Sequence, residues 1–318
     1  MLTWFVRIVL TLVVLAAGAA LAGWVLLAEP DIPRATLEAK YATAPSQLLK
    51  LDSGDVVHFR DQGPRDQEPL VLLNGSNASL HTWEPWVALM PDVRIITLDL
   101  QAHGLTGPIG SADYSQKAMA GLTIATLDKL GVGRFALGGN SMGGGVAARV
   151  ALEHPGRVSH LILVAAAGID MPAGQTRAVP LAFQLLRTPV VRDVLRDVSP
   201  RFMFERSLRS AVSNETIITE GMIDRYWELA RLPGQRAATV ARVNQPGDRT
   251  LEESAGRIAT PALILWGRED SWVPLGIGER WDARLPQSTL IVYDGIGHLP
   301  HEEAAERSAA DVRAFLGR

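Results

Sequence analysis

Short apolar runs recur along most of this chain, separated by amphipathic stretches. Leu70–Asn74, Val93–Asp99, Phe135–Asn140, Val158–Val164, Ala262–Trp266 and Leu290–Tyr293 are too short for stable helices and too apolar for loops. They predict strands, and Val56–Arg60 predicts an earlier one. Between them the period lengthens. Ser115 is placed to cap a helix that runs to Leu130 and is closed by Gly131, with Met119, Leu122, Leu127 and Leu130 on one face. Ala304–Leu316 predicts a closing helix that buries Val312, Phe315 and Leu316. Strands that alternate with helices imply a mostly parallel sheet with helices on both faces, an α/β architecture.

Two regions break the alternation. From Gly168 to Arg257 lie roughly 90 residues, too many for a loop. This stretch contains helical segments at Leu181–Leu186, Asn214–Leu232 and Arg236–Val243. At the other end, Ile8–Ala28 is 21 residues without a charge, bounded by Glu29-Pro30-Asp31. About 20 apolar residues of helix span a bilayer core, and Trp4 and Trp24 suit interfacial depths. Arg7 is the only charged side chain before the run, so the positive-inside bias keeps the N-terminus cytoplasmic and exports the rest. The expectation is a transmembrane anchor over residues 1–28, a signal anchor making a single-pass membrane protein with the lipid bilayer as a partner. The rival is a cleaved signal peptide with Ala20-Leu21-Ala22 as its processing site, which makes a secreted or periplasmic protein. Residues 29–45 then read as a polar linker, and 46–318 as one domain.

Composition narrows the chemistry. Of 318 residues, 47% are hydrophobic and 20% charged, ordinary for a globular domain with an added apolar segment. The net charge is −3 with no basic block, so nucleic acid is not an expected partner. The absence of Cys excludes disulfides and thiolate chemistry.

The chemistry concentrates at Gly139-Asn140-Ser141-Met142-Gly143, a G-x-S-x-G between a predicted strand and a helical stretch that Pro155 stops. The flanking glycines allow a sharp turn, with the serine at its apex and a helix N-terminus beside it. In a chain with 29 Gly such a motif also arises in an ordinary turn, so the rest of the constellation decides. A serine needs an imidazole to take its proton, and the imidazole needs an orienting carboxylate. Of the seven His, only His298 and His301 come late in the chain. His298 follows Asp294-Gly295-Ile296-Gly297 in a loop leaving a strand, whereas His301 reads as a solvated residue before the last helix. Asp270 lies in the loop after Ala262–Trp266, and Asp170, after Val158–Val164, is its rival.

These motifs resemble those of the α/β-hydrolase superfamily over about Pro45–Arg318. Leu72-Leu73-Asn74-Gly75-Ser76 resembles its oxyanion loop, with Asn74 where the family usually has His. Asp99-Leu100-Gln101-Ala102-His103-Gly104 resembles the loop after its fourth strand. The resemblance implies an α/β-hydrolase fold with a helical cap at about 168–257, inserted after the sixth strand. It implies Ser141, Asp270 and His298 as the catalytic residues. Backbone N–H groups of Met142 and of Ser76, or else Asn77, would form the oxyanion hole. Asn140, Phe183, Tyr226, Trp227 and Leu299 are further pocket candidates, with Phe202 and Phe204 beside them. Core packing is the ordinary role for any one of the cap aromatics. Arg225 could meet an anionic substrate group or, more simply, pair with Asp224 or Glu228. No metal or organic cofactor is expected.

The activity this points to is a membrane-anchored serine esterase acting on a small ester or acyl substrate. A second reading is a carbon–carbon bond hydrolase of the meta-cleavage-product type, whose elbow Gly139-Asn140-Ser141-Met142-Gly143-Gly144 closely resembles. Those enzymes commonly carry Trp after the catalytic His, where this chain has Leu299. A third is a non-catalytic binding module on the same fold.

Overall fold

The computed structural model describes residues 2–170, 198–245 and 250–318. The chain runs through α1 (Leu2–Leu27), α2 (Arg34–Tyr41), β1 (Gln47–Lys50), β2 (Val56–Gln62) and β3 (Leu70–Leu73). A single helical turn at Leu80–Trp83 leads into α3 (Glu84–Leu89), followed by β4 (Ile95–Leu98), α4 (Gln116–Lys129), β5 (Phe135–Asn140), α5 (Met142–Glu153) and β6 (Val158–Val164). Then come α6 (Arg201–Ala211), α7 (Glu220–Leu229), α8 (Gln235–Val243) and α9 (Thr250–Ser254). The sheet resumes with β7 (Ala262–Gly267), and α10 (Leu275–Arg284), β8 (Ser288–Tyr293), α11 (Pro300–Glu303) and α12 (Ala305–Phe315) complete the fold.

Eight strands form one sheet in the order β1-β2-β4-β3-β5-β6-β7-β8. The first two pair antiparallel with each other, β2 pairs antiparallel with β4, and the remaining neighbours are parallel. Side chains leave a strand alternately to its two faces, and the core divides accordingly. Val71 and Leu73 join one apolar cluster with Ala147 of α5 and Trp281 of α10. Leu70 and Leu72 join the other with Trp86 of α3 and Val312 of α12. Each fully buried aliphatic side chain contributes on the order of 1.5–3 kcal/mol, which makes the central strands the rigid part of the molecule.

The predicted strands all appear, and so does the Ser115 cap: its Oγ accepts the Ala118 N–H at 3.1 Å. Strand β1 carries Gln47 and Lys50 around two leucines at the sheet edge, too weak a pattern to be read in advance. One predicted helix breaks where local chemistry intervenes. Asn214–Leu232 becomes a short turn and then α7, because Thr219 accepts the Met222 N–H at 3.2 Å and starts a new helix. The closing helix forms as predicted, over Ala305–Phe315, after Ala304, whose φ of −125° is not helical.

The insertion after β6 is helical in its described part, α6 to α9, and returns to the sheet at β7. The predicted segment Leu181–Leu186 lies outside the described residues.

The N-terminus requires a correction. Leu2–Leu27 is one helix, but among the described residues no helix is long and apolar enough to cross a membrane. The single-pass anchor, the bilayer partnership and the exported topology read from Ile8–Ala28 are therefore overturned. Nor does the chain after α1 hang free. Ile32 N–H donates to the Arg231 carbonyl at 2.8 Å, and α2 buries Leu37 and Tyr41 against Leu105, Leu229 and Leu232.

Candidate active site

Ser141 sits between the last residue of β5 and the first of α5, at φ 52° and ψ −117°. A non-glycine residue at this φ is strained, and strain of this kind persists only where the surroundings enforce it. Here the surroundings are backbone. The Ser141 N–H donates to Val164 O at 2.9 Å, and Ser141 O accepts from Gly144, Gly145 and Ala167. The glycines are obligatory for a plain reason: a Cβ on Gly139 would lie 2.3 Å from Gly143, and one on Gly143 would lie 2.5 Å from Leu73 O and Asn74 O. Ser141 is 8% exposed.

His298 lies in the loop after β8 and Asp270 in the loop after β7. Their Nδ1 and Oδ2 atoms are 2.7 Å apart. The other carboxylate oxygen, Oδ1, accepts the N–H groups of Trp272 and Val273, both at 2.8 Å. These bonds fix the carboxylate and leave one oxygen for the imidazole, which assigns the proton on Nδ1 and leaves Nε2 free to accept. The Trp272 ring lies 5.4 Å from the His298 ring. Asn140 ties this loop to the elbow: its Nδ2 donates to His298 O and to Val164 O, each at 3.2 Å. The rival acid Asp170 is exposed, and its N–H is held by Glu252. His301, expected to be solvated, is fully buried: Thr82 Oγ1 lies 2.8 Å from its Nε2, and its ring stacks at 4.4 Å on Trp83. Burial, and then the charge of His298, hold it down at about 3.

The loop after β3 lies across the elbow. Gly75 is so close that a Cβ there would meet Asn140 Oδ1 at 2.6 Å. Asn74 organises the loop by donating to Gly75 O and Ala78 O and accepting from Leu100 N–H. An amide thus performs the shaping role expected of that position. Ser76 Oγ lies 3.7 Å from Met142 Sδ, which puts the loop beside the first residue of α5. Asn77 is exposed at φ 61°.

The other pocket candidates scatter. Leu299 is buried in an apolar cluster with Leu208, Met222 and Ile223 of the cap, and Tyr226 packs against it. Burial, and then Glu302, raise the Tyr226 hydroxyl above its ordinary range. Trp227 points elsewhere: its Nε1 donates to Ser199 O, and Arg231 covers its ring at 4.5 Å. Phe202 is exposed, Phe204 half-buried, and Phe183 lies outside the described residues. Arg225 meets Glu84 at 3.7 Å rather than its helical neighbours. One residue that the pattern did not single out reaches the site. Arg242 of α8 places Nη1 3.0 Å from Ser76 Oγ and 3.6 Å from Met142 Sδ. In the sequence it is one of several arginines on a predicted helix, with no signal to separate it.

A parallel sheet, a serine on a strained strand–helix turn and a His–Asp pair on the next loops define an α/β hydrolase. The family model for the alpha/beta hydrolase fold matches residues 68–305, and the chain belongs to that family. A 2-hydroxy-6-oxononadienedioate/2-hydroxy-6-oxononatrienedioate hydrolase of Burkholderia vietnamiensis is 31% identical over 277 residues, covering 82% of this chain and 91% of the relative. Among solved structures, a bacterial membrane phospholipase A superposes with a TM-score of 0.72 at 23% identity over 98% of both chains, a likeness of fold. A thermophilic esterase from Thermogutta terrifontis gives 0.69 at 26% identity, over 86% of this chain and 98% of its own.

Proposed function

We propose that this hydrolase cleaves a carbon–carbon bond next to a ketone, in a substrate of the kind formed by ring fission of an aromatic diol. The observation that carries the reading is the pairing of two facts. The His298–Asp270 loops are tied to the serine turn through Asn140. The relative in Burkholderia vietnamiensis, matched over nine-tenths of its length, is named for hydrolysis of a dienedioate.

Ser141 Oγ attacks the carbonyl carbon as His298 Nε2 takes its proton. Asp270 holds the imidazole in the required tautomer and stabilises the imidazolium. The N–H groups of Met142 and Ser76 receive the developing oxyanion, a contribution of several kcal/mol in enzymes of this type. Collapse breaks the carbon–carbon bond. With the substrate in its keto tautomer, the carbon that departs is saturated, so the bond's electron pair is taken up as a dienolate, and that carbon takes the proton from His298. Water, activated by the same imidazole, then releases the acid and frees Ser141.

A second reading, ester hydrolysis through the same acyl-enzyme, is favoured by Leu299. That residue extends the apolar cap cluster beside His298, where carbon–carbon hydrolases commonly place Trp. The two readings share every proposed catalytic residue and differ in leaving group. Turnover of a dienoate ring-fission product beside a panel of p-nitrophenyl esters separates them. A ring-fission product consumed at a kcat/KM at least 100-fold above the best ester supports the first, and the reverse ratio supports the second. Failure of a fluorophosphonate probe to label Ser141 would remove both.

A further inference from the structure

The cap is rich in arginine, and several of its cations face carboxylates. Arg201 meets Asp224 and Glu220, Arg225 meets Glu84, Arg231 meets Glu29, and Arg236 meets Asp31. Arg242 differs from all of them. Among the described residues its Nη1 meets Ser76 Oγ and Met142 Sδ, both uncharged. Its Nε and Nη2 are buried without any hydrogen-bond partner among the described residues. Burial lowers the guanidinium to about 10, with no carboxylate to offset it. The ionisable group that feels its charge is His103, which burial and then Arg242 push down to about 3. A neutral imidazole supplies no counter-charge. The His103 Nε2 and both polar atoms of the Gln101 side chain, on the same loop, are likewise buried without partners.

An uncompensated buried cation costs several kcal/mol, and natural sequences keep one where a ligand completes the pair. The placement says which part of the ligand. Arg242 rests on the side chains of Ser76 and Met142, the two residues whose N–H groups flank the nucleophile in the reading above. A guanidinium with free Nε and Nη2 donors presents the fork that suits a carboxylate.

We infer that Arg242 is a specificity-determining residue that binds a carboxylate on the acyl portion of the substrate, so that the preferred acyl group is the half-acid of a short dicarboxylic acid. The inference rests on the proposed reading for the identity of the acyl side, but carboxylate binding can be measured apart from turnover.

Calorimetric titration of the full-length protein with glutarate, and with butyrate as the singly charged control, tests it directly. Glutarate should bind at least tenfold more tightly than butyrate. R242M should abolish that preference, and R242K, which keeps the charge, should retain most of it. Ligand-free R242M should melt no lower than the parent, because a buried unpaired charge has been removed. In turnover, the ratio of kcat/KM for mono-p-nitrophenyl glutarate over p-nitrophenyl butyrate should fall at least tenfold in R242M. Undiminished glutarate binding by R242M, or no preference for glutarate in the parent, overturns the inference. So does a lower melting temperature for R242M, which would make Arg242 a structural residue. If neither ester turns over but glutarate binding depends on Arg242, the proposed reaction fails and the carboxylate site stands.

Discussion

The molecule contains two buried His–Asp pairs of nearly the same geometry. His298 Nδ1 lies 2.7 Å from Asp270 Oδ2, and His58 Nδ1 lies 2.6 Å from Asp99 Oδ2. Their surroundings differ. Asp99 follows β4 and His58 belongs to β2, so two adjacent strands hold the second pair in place, with Asp99 N–H donating to His58 O at 2.9 Å. The Asp99 carboxylate also accepts the N–H groups of Leu80 and Leu105. Burial alone would raise this carboxyl, but His58, His81 and the Leu80 N–H together hold it below the ordinary carboxylate range. The far side of the His58 ring is a dead end: Nε2 is buried without a partner among the described residues. The first pair stands instead on two loops, and its histidine is tied by Asn140 to the serine turn. An imidazole on a carboxylate is therefore no mark of chemistry by itself. What the other nitrogen can reach decides whether the pair works on a substrate or closes a loop.

Exchanging the treatment of the two pairs is the sharpest way to break this contrast. His298→Ala should lower kcat/KM of the folded molecule by about 10⁴-fold or more, and because Asp270 is also buried it should lose stability as well. Asp270→Asn should follow, with kcat down about 10³–10⁴-fold, since the amide favours the wrong tautomer. His58→Ala should spare the activity. It strands a buried carboxylate, at a cost of about 3–5 kcal/mol, while the folded fraction keeps its activity within a few-fold. Chemical denaturation and active-site titration on the same samples separate the two effects. Equal losses of activity per folded molecule in His298→Ala and His58→Ala would erase the distinction.

The smallest effect concerns the carboxyl next to His301. Burial raises Glu302 from 4.5 to about 7, and its contact with Thr82 only partly offsets that. The folded state therefore holds this proton more tightly than the unfolded chain does. The stability it confers is complete below about pH 4.5 and is lost as pH rises toward 7. The loss should be on the order of 2–3 kcal/mol. Glu302→Gln should flatten the stability profile across that window. An unchanged slope in a pH series of urea melts would show that Glu302 is ionised throughout.

Much of this was legible in the chain. The central strands announce themselves as aliphatic runs because parallel strands are buried on both faces. Ser141, Asp270 and His298 are legible because each sits just past the end of such a run. What could not be read depends on contacts distant in sequence. Nothing local shows that Asn74 braces its loop through Leu100, or that Arg242 meets no carboxylate among the described residues while Arg225 does. His301 looks like a surface residue until Trp83 and Thr82 are placed over it. The N-terminal run misled for a related reason: an uncharged stretch reads as a spanning segment on length alone, and the described side chains of the helix do not make such a span.

The segment between α1 and β1 has a consequence for timing. Arg34 Nη1 donates to Leu105 O at 2.7 Å on the body, while Lys40 and Tyr41 reach Glu228 on α7 at 2.7 and 2.8 Å. Arg236 of α8 closes the other end on Glu29 O at 2.7 Å. One stretch of chain thus fastens two helices of the cap to a loop of the body, like a strap across a hinge. Any opening that parts the cap from that loop must carry the strap along or break these bonds first. The dwell time of a bound product should then depend partly on residues upstream of the matched 68–305 region. Lys40→Ala with Tyr41→Phe should shorten that dwell in stopped-flow release, and an unchanged release rate would show that the cap opens without disturbing the strap.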